Sequence, residues 1–260
     1  MSVFDEDIKQ IAKYVTGLKD KGLQTREFFC RELSETLAED LPIQVGPEAN
    51  PGIILRGDTF VELGNPSAGS VSLFLWTDNP SLITDNKTTL FGPDIQESSG
   101  ASLPFAQIIM AGGEKFREKD HEKLSIAPHV SDQIEGYMVR SSSTNMWSRV
   151  SKDAAKKGFS FEILGKALFS IFMSNIPYTQ AMEIIFITSS KEDVLQLNDL
   201  TKKVKDISQD IVKETWKAKG YDLDCDYNCE SCMDQSTCDS IREVIAEHRK
   251  KTKEVESATD

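Results

Sequence analysis

Four of the five cysteines of this 260-residue chain fall within fourteen residues, in the pattern Cys-x3-Cys-x2-Cys-x5-Cys. Thiolates crowded this tightly are poorly placed to join distant segments as disulfides, but one loop can bring them to a single metal centre. The pattern therefore predicts a metal-binding loop formed by Cys225, Cys229, Cys232 and Cys238.

The spacing of these cysteines favours an iron–sulfur cluster over zinc. A structural zinc site usually takes two Cys-x2-Cys pairs separated by about a dozen residues or more, and here only Cys229 and Cys232 form such a pair. A cubane presents four iron corners that an uneven loop can reach. A [4Fe–4S] cluster is therefore the first hypothesis, with zinc and free or redox-active thiols as open alternatives. The fifth cysteine, Cys30, lies in an apolar stretch that we interpret as helical core.

The charge balance bears on the partners of the chain. With 42 acidic against 30 basic residues, the net charge of −12 repels a phosphate backbone, so nucleic-acid binding is not expected.

The sequence shows neither the basic start and apolar core of a signal peptide nor a run of about 20 apolar residues that would span a membrane. A cytoplasmic protein without membrane contact is expected.

Three segments are predicted along the chain. Residues 1–50 are predicted to be an N-terminal helical appendage, because apolar residues recur at helical spacing before and after Gly22. Frequent prolines and glycines between residues 41 and 66 place a boundary there. Residues 51–220 are predicted to form the main domain, and residues 221–260 the cysteine-rich loop followed by a charged helix.

The main segment reads as an α+β (mixed α/β) domain, because extended and helical patterns alternate along it. Strands are predicted at residues 71–76, 105–111, 146–150 and 182–188, with a further extended piece at 59–63. Helices are predicted at residues 119–137, at 161–173, and from a capping box at Ser189 to about Trp216.

Five short segments occur in the order in which they appear in one known family. They are GDTFVELG (57–64), LFGPDI (90–95), GYM (136–138), WSRVSK (147–152) and DCDYNCESC (224–232). In these segments the chain resembles the beta subunit of the carbon monoxide dehydrogenase/acetyl-CoA synthase complex, over roughly residues 56–238. The resemblance implies the sheet and packed helices of that family's middle domain.

The resemblance also implies a function and site residues. The family joins a corrinoid-bound methyl group, carbon monoxide and coenzyme A into acetyl-CoA at a nickel–iron centre. Cys229 and Cys232 match its cluster-binding pair, and Cys238 matches its third ligand after a shorter gap. Trp147 and Arg149 match an element near the approach of coenzyme A, although half-buried packing explains a tryptophan at position 147 equally well.

The chain departs from the family at the metal centre. The family's fourth cluster cysteine has no counterpart after Cys238, so Cys225 is expected to take its place. The sequence contains no Cys-Gly-Cys, the peptide that holds the distal nickel in a square-planar site, so we expect no nickel and no dinickel centre in this chain alone.

The sequence therefore predicts an iron–sulfur protein of corrinoid-dependent one-carbon metabolism that acts as an accessory protein. Its expected partners are a corrinoid protein or subunits of the synthase complex, with coenzyme A as a further candidate ligand. Two alternatives stay open: a divergent acetyl-CoA synthase that completes its nickel site with a partner, and a zinc-stabilised interaction module. No rival catalytic constellation occurs in the sequence, since its three histidines do not stand at metal-ligand spacing.

Overall fold

The computed structural model describes residues 2–30, 33, 35–49, 52–126, 133–141 and 146–218. All of them belong to the first of two units, Met1–Lys219, while the second unit is Gly220–Asp260. The four clustered cysteines lie outside the described residues. None of the described helices has the length and apolarity needed to cross a lipid bilayer.

Helices and strands alternate along the first unit. The helices are α1 (Asp5–Asp20), α2 (His121–Ile126), α3 (Lys152–Lys156), α4 (Phe161–Asn175), α5 (Lys191–Leu195) and α6 (Asn198–Ala218). The strands are β1 (Thr25–Phe29), β2 (Thr59–Leu63), β3 (Ser70–Thr77), β4 (Lys87–Phe91), β5 (Ser102–Leu103), β6 (Phe105–Gly112), β7 (Tyr137–Ser141), β8 (Met146–Ser151) and β9 (Ala181–Ile187). The mixed α/β class predicted from the sequence is confirmed.

Within the described chain, five strands form a mixed sheet in the order β1-β4-β9-β6-β3. The central strand β9 runs parallel to β4 and antiparallel to β6, and β6 runs parallel to β3. Every residue of β3 and β6 is buried, as expected for strands covered on both faces. The first sheet therefore carries the core of the unit.

Four described strands form a second sheet in the order β5-β2-β8-β7. In this sheet β8 pairs antiparallel with both β2 and β7. The residues of β8 alternate between buried and half-buried, which indicates that one face packs inward and the other does not. Ser70 of β3 links the two sheets, because its hydroxyl donates to the Met146 carbonyl and accepts from the Met146 backbone N–H, each at 2.6 Å.

The helix α4 packs against the first sheet through aromatic side chains and one close approach. It begins after Ser160, whose hydroxyl caps the helix N-terminus. The ring of Phe161 lies 4.8 Å from that of Phe186 in β9. Gly165 lies so near Thr88 of β4 that any side chain at position 165 would overlap it. These contacts fix the helix on the middle of the sheet.

The helices α1, α5 and α6 all contact β3, and two ion pairs tie them together. Lys203 of α6 reaches the buried Asp7 of α1 at 2.5 Å. Lys21, the residue after α1, reaches Asp193 of α5 at 2.8 Å. Asp7 and Asp193 are both buried. Each ion pair therefore compensates the charge of a buried carboxylate, which would destabilise the fold if it had no partner.

Most predicted elements of the main segment are confirmed. The four predicted strands correspond to β3, β6, β8 and β9 with ends that agree within one residue, and the extended piece at 59–63 is β2. The helix predicted at 161–173 is α4. The helix predicted from Ser189 to Trp216 is instead two helices, α5 and α6, and the cap of α5 is Ser190 rather than Ser189.

Two helix predictions are wrong in part. The helix predicted after Gly22 is wrong at its start, around Phe29. Residues Thr25–Phe29 form the strand β1 instead, which pairs antiparallel with β4 at the edge of the first sheet. Cys30 is half-buried directly after this strand and does not lie in a helix. The helix predicted at 119–137 is described only over His121–Ile126, and Tyr137 begins β7. In both places strand pairing overrides a local apolar pattern, with the distant β4 in the first case and with the following strand β8 in the second.

A buried carboxyl group lies among charged residues in the first sheet. Glu183 of β9 is 9% exposed, and its carboxylate lies 3.9 Å from the ammonium of Lys87. That ammonium also lies 3.3 Å from Asp85 and 3.5 Å from Glu27. Because Lys87 is shared among three carboxylates, it compensates the burial of Glu183 only in part, and burial raises the pKa of Glu183 to about 7.

The raised pKa of Glu183 predicts a pH-dependent stability. Its ordinary value is 4.5, so the folded protein binds this proton more tightly than the unfolded chain. The stabilisation is complete below about pH 4.5 and is lost as the pH rises through about 7. We expect Glu183→Gln, which stays neutral, to gain up to about 3 kcal/mol relative to the wild type between about pH 5 and about pH 8. Urea unfolding across this range measures it.

The control for the Glu183 prediction is the exposed Glu162, replaced by glutamine in the same way. Glu162→Gln should track the wild type across the whole pH range, because its carboxylate pairs with Lys166 on the surface of α4. A stability difference between the wild type and Glu183→Gln that does not change with pH would contradict the prediction.

Candidate functional site

The predicted residues Trp147 and Arg149 lie side by side on the outer face of the second sheet. Alternation along β8 buries Met146, Ser148 and Val150 and directs Trp147 and Arg149 to the opposite side. We define the outer face by the residues that the strand register places there: Glu62 of β2, Met138 and Arg140 of β7, and Trp147 and Arg149 of β8.

Arg149 is held in place by contacts on three sides. Its Nε donates to Glu62 Oε1 at 3.0 Å, and its Nη1 donates to the Ile54 carbonyl at 3.1 Å. Its guanidinium lies 4.6 Å from the centre of the Trp147 ring, and that of Arg140 lies 5.9 Å from the same ring. Trp147 therefore has two cationic groups near its ring, an arrangement that attracts anions while the indole supplies an apolar surface.

Glu62 is the carboxylate that positions Arg149. Burial alone would raise its pKa, but hydrogen bonds from Asn65 and Arg149 outweigh that effect and leave the pKa below its ordinary value. Asn65 Nδ2 donates to Glu62 Oε2 at 3.1 Å and to Ser102 Oγ at 2.6 Å, so the network extends to β5. Glu62 is therefore ionised at neutral pH and fixes the guanidinium.

The indole N–H of Trp147 is an incompletely satisfied group in this network. Its Nε1 is buried and has no hydrogen-bond acceptor with acceptable geometry among the described residues. Trp147 is nonetheless the smallest of the causes that lower the pKa of Glu62, after the hydrogen bonds from Asn65 and Arg149. The indole N–H is therefore a buried donor beside the outer face that is left without a partner among the described residues.

An exposed apolar segment adjoins the outer face. Ile54 is buried and accepts the hydrogen bond from Arg149, whereas its neighbours Ile53 and Leu55 are 81% and 62% exposed. Lys152 Nζ donates to the Gly57 carbonyl at 2.7 Å and anchors the other end of this segment. Apolar side chains beside fixed guanidinium groups suit a ligand with both anionic and apolar parts.

The structure brings together one of the two predicted sites. Trp147 and Arg149 are in contact, whereas the metal-ligand prediction for Cys225, Cys229, Cys232 and Cys238 concerns residues outside the described part of the chain. No group of three or more His, Cys, Asp or Glu side chains among the described residues could hold a metal ion. His121 is buried, accepts a hydrogen bond from Trp76 Nε1 at 2.9 Å, and has its pKa lowered to about 4 by burial.

Two charged residues of the outer face, Glu62 and Arg140, escaped the sequence analysis. Glu62 occurs in a segment that carried the family resemblance, but nothing in the sequence pairs it with Arg149, which lies 87 residues further along the chain. Arg140 precedes Trp147 by seven residues, a spacing that the antiparallel pairing of β7 and β8 turns into direct opposition. The signal available in the sequence was the alternation of side chains around Trp147, which is typical of a strand that must pair with a neighbour.

The fold and this site define a mixed α/β protein whose second sheet carries an aromatic side chain between two guanidinium groups. The family model described as CO dehydrogenase/acetyl-CoA synthase complex beta subunit matches residues 41–194, which include the whole outer face. The chain belongs to this family.

Individual relatives agree with the family assignment. The chain is 30% identical over 201 residues to the acetyl-CoA decarbonylase/synthase complex subunit beta 2 of Methanosarcina mazei, and 32% identical over 198 residues to subunit beta 1 of Methanosarcina thermophila. It is 31% identical over 203 residues to the beta subunit of Methanopyrus kandleri. These alignments cover 75–76% of this chain but 41–42% of each relative, so the chain spans less than half the length of these relatives.

Proposed function

We propose that this chain is an iron–sulfur accessory protein of the acetyl-CoA pathway, which docks a corrinoid protein or a synthase subunit and passes it an electron. The observation that carries the proposal is the family match over residues 41–194, a range that contains the outer face with Trp147 beside Arg149 and Arg140. The relatives are named as subunits of a decarbonylase/synthase complex, which supports a partner of that kind.

The proposed cofactor is a [4Fe–4S] cluster held by Cys225, Cys229, Cys232 and Cys238. Four closely spaced thiolates fit the ligand set of such a cluster. When bound, a cluster with four protein thiolates supplies one-electron transfer. Because this ligand set leaves no open coordination position, it favours electron transfer over binding of a methyl group or carbon monoxide.

The proposed ligand of the outer face is coenzyme A. Guanidinium groups bind phosphate through charge-assisted hydrogen bonds, and an indole offers a flat surface to an adenine ring. Arg149 is oriented by Glu62 before any ligand arrives, which lowers the ordering cost of binding. The exposed Ile53 and Leu55 supply apolar surface next to these groups.

The coenzyme A proposal is tested with two variants that break the same ion pair. We expect Arg149→Gln to weaken coenzyme A binding about tenfold or more, because a charge-assisted hydrogen bond contributes about 1.5–3 kcal/mol. Glu62→Gln should retain or strengthen binding, because the amide oxygen of glutamine can still accept the hydrogen bond that orients Arg149, while a negative charge is removed. Isothermal titration calorimetry measures both. Equal losses in the two variants would indicate that Arg149 acts only through structure and would contradict the proposal.

The accessory role is tested on the same preparations. The chain should bind a corrinoid protein with a Kd of about 1 μM or lower, which corresponds to about −8 kcal/mol. It should form no acetyl-CoA from a methylated corrinoid, carbon monoxide and coenzyme A, with or without added nickel. Nickel-dependent acetyl-CoA formation by this chain alone would show that it is an enzyme and not an accessory protein. If the chain binds no corrinoid protein, the proposed docking role is wrong.

A further inference from the structure

Two arginines lie beside Trp147, and the structure holds them in different ways. The guanidinium of Arg149 is paired with Glu62 at 3.0 Å and donates to the Ile54 carbonyl at 3.1 Å. Arg140 lies directly opposite Trp147 in the pairing of β7 with β8, and it is exposed. No carboxylate in the described part of the chain forms an ion pair with Arg140. One guanidinium is therefore fixed by the fold, and the other is available to a ligand.

The net charge of the outer face equals the charge of Arg140. Glu62 and Arg149 carry opposite charges and form one ion pair, while Met138 and Trp147 are uncharged. Because Glu62 cancels the charge of Arg149 over distances longer than the pair itself, Arg149 adds directed hydrogen bonds rather than long-range attraction. Arg140 is therefore the residue of this face whose attraction grows with the charge of a ligand.

The position of Arg140 beside the indole indicates which part of a ligand it meets. Its guanidinium lies 5.9 Å from the centre of the Trp147 ring, on the strand next to that of Trp147. In coenzyme A the ribose is bonded directly to the adenine, so the ribose 3′-phosphate lies beside the base. An adenine that packs against the indole therefore brings its 3′-phosphate within reach of a side chain that adjoins the indole.

The 3′-phosphate is also the most highly charged group of coenzyme A. A phosphate monoester carries a charge of about −1.5 to −2 at pH 7, because its second pKa is about 6. Each phosphate of the pyrophosphate bridge is esterified on both sides and carries a single negative charge. An unpaired guanidinium therefore gains most from the monoester, to which it can donate two parallel hydrogen bonds.

We propose that Arg140 is the specificity-determining residue of the outer face and that it selects the 3′-phosphate of coenzyme A. This role of Arg140 rests on the proposed binding of coenzyme A at the same face. Arg149, which Glu62 orients, donates hydrogen bonds to the ligand, and Trp147 packs against the adenine. Arg140 then discriminates between coenzyme A and the same molecule without its 3′-phosphate.

Coenzyme A and dephospho-coenzyme A, which lacks only the 3′-phosphate, test the role of Arg140. Isothermal titration calorimetry on the full chain measures the Kd of each ligand. The wild type should bind coenzyme A at least tenfold more tightly than dephospho-coenzyme A, and the ratio should fall as salt is raised. In Arg140→Gln the ratio should fall below threefold, with little change in the affinity for dephospho-coenzyme A. The melting temperature of this variant should match that of the wild type, because Arg140 is exposed.

Two further variants separate the roles of the arginines. Arg149→Gln should weaken the binding of both ligands by similar factors and keep their ratio, because it removes hydrogen bonds to a part that both ligands share. Arg56→Gln makes the same change as Arg140→Gln at an exposed arginine that does not belong to the outer face. It should change the ratio less than twofold.

The outcomes distinguish the role of Arg140 from the binding of coenzyme A itself. If the wild type binds neither ligand, the proposed coenzyme A site is wrong, and the role of Arg140 is wrong with it. If the wild type binds both ligands with equal affinity, coenzyme A binding stands and the role of Arg140 is wrong. A wild-type ratio in Arg140→Gln would lead to the same conclusion.

Discussion

Replacing Cys225 by alanine is expected to destroy the iron–sulfur cluster as completely as replacing Cys229 or Cys232. The proposed cluster needs four thiolates, and besides these three the only cysteine of the sequence near them is Cys238. The wild-type chain, purified without oxygen, should contain about four irons and about four sulfides, with the broad visible absorption of a cubane. The Cys225→Ala chain should lose most of both, because removal of one ligand exposes an iron corner.

The matched control for the cysteine variants is Cys30→Ala. Cys30 is half-buried directly after β1 and is not one of the four proposed ligands, so its loss should leave the iron and sulfide content unchanged. A full four-iron cluster in Cys225→Ala would show that another residue is the fourth ligand. If the wild-type chain contains stoichiometric zinc and shows no visible absorption, the cluster hypothesis is wrong and the zinc-stabilised interaction module is favoured.

Replacing Gly92 by alanine is expected to destabilise the first unit by about 4 kcal/mol. Gly92 follows β4 with φ of +113°, a conformation that other residues rarely adopt and that costs about 1–3 kcal/mol. A Cβ there would also lie 2.5 Å from the backbone N of Ser189, and the overlap costs about 1–3 kcal/mol more. Chemical unfolding followed by circular dichroism measures the loss.

Gly46→Ala separates the two contributions to the Gly92 effect. Gly46 has φ of +111°, nearly the value at Gly92, but no described atom lies within 4 Å of its Cβ position. Its replacement should cost only the backbone part, about 1–2 kcal/mol. If both variants lose the same free energy of unfolding, the overlap with Ser189 adds no cost at Gly92. The segments after β4 and β9 would then move apart easily, which would contradict the prediction.

The sequence predicts the strands that are mostly apolar and misses those that depend on their neighbours. The strands β3, β6 and β9 are buried along nearly their whole length and consist largely of apolar residues, so composition identifies them. The strand β1 has a mixed sequence, TREFF, and becomes a strand because β4 lies beside it. The break between α5 and α6 was also missed, because apolar residues continue across it at helical spacing.

The candidate site shows the same division between local and distant information. Trp147 and Arg149 were predicted because they are two residues apart and match a family segment. Glu62 and Arg140 could not be assigned to them, because the antiparallel register of β8 with β2 and β7 is what places these four side chains on one face. A single sequence gives the periodicity of a strand but not the partner or register of its pairing.

The central position of β9 has a consequence for the synthesis of the protein at the ribosome. The strands β4 and β6 are synthesised about 70 residues or more before β9, yet β9 separates them in the finished sheet. Until β9 emerges, neither strand has its inner partner, and both leave rows of backbone N–H and C=O groups unpaired. The sheet is therefore completed by insertion rather than by growth from one edge, which makes its assembly slow and late in translation. The five-stranded sheet therefore cannot be complete until residue 187 has left the exit tunnel.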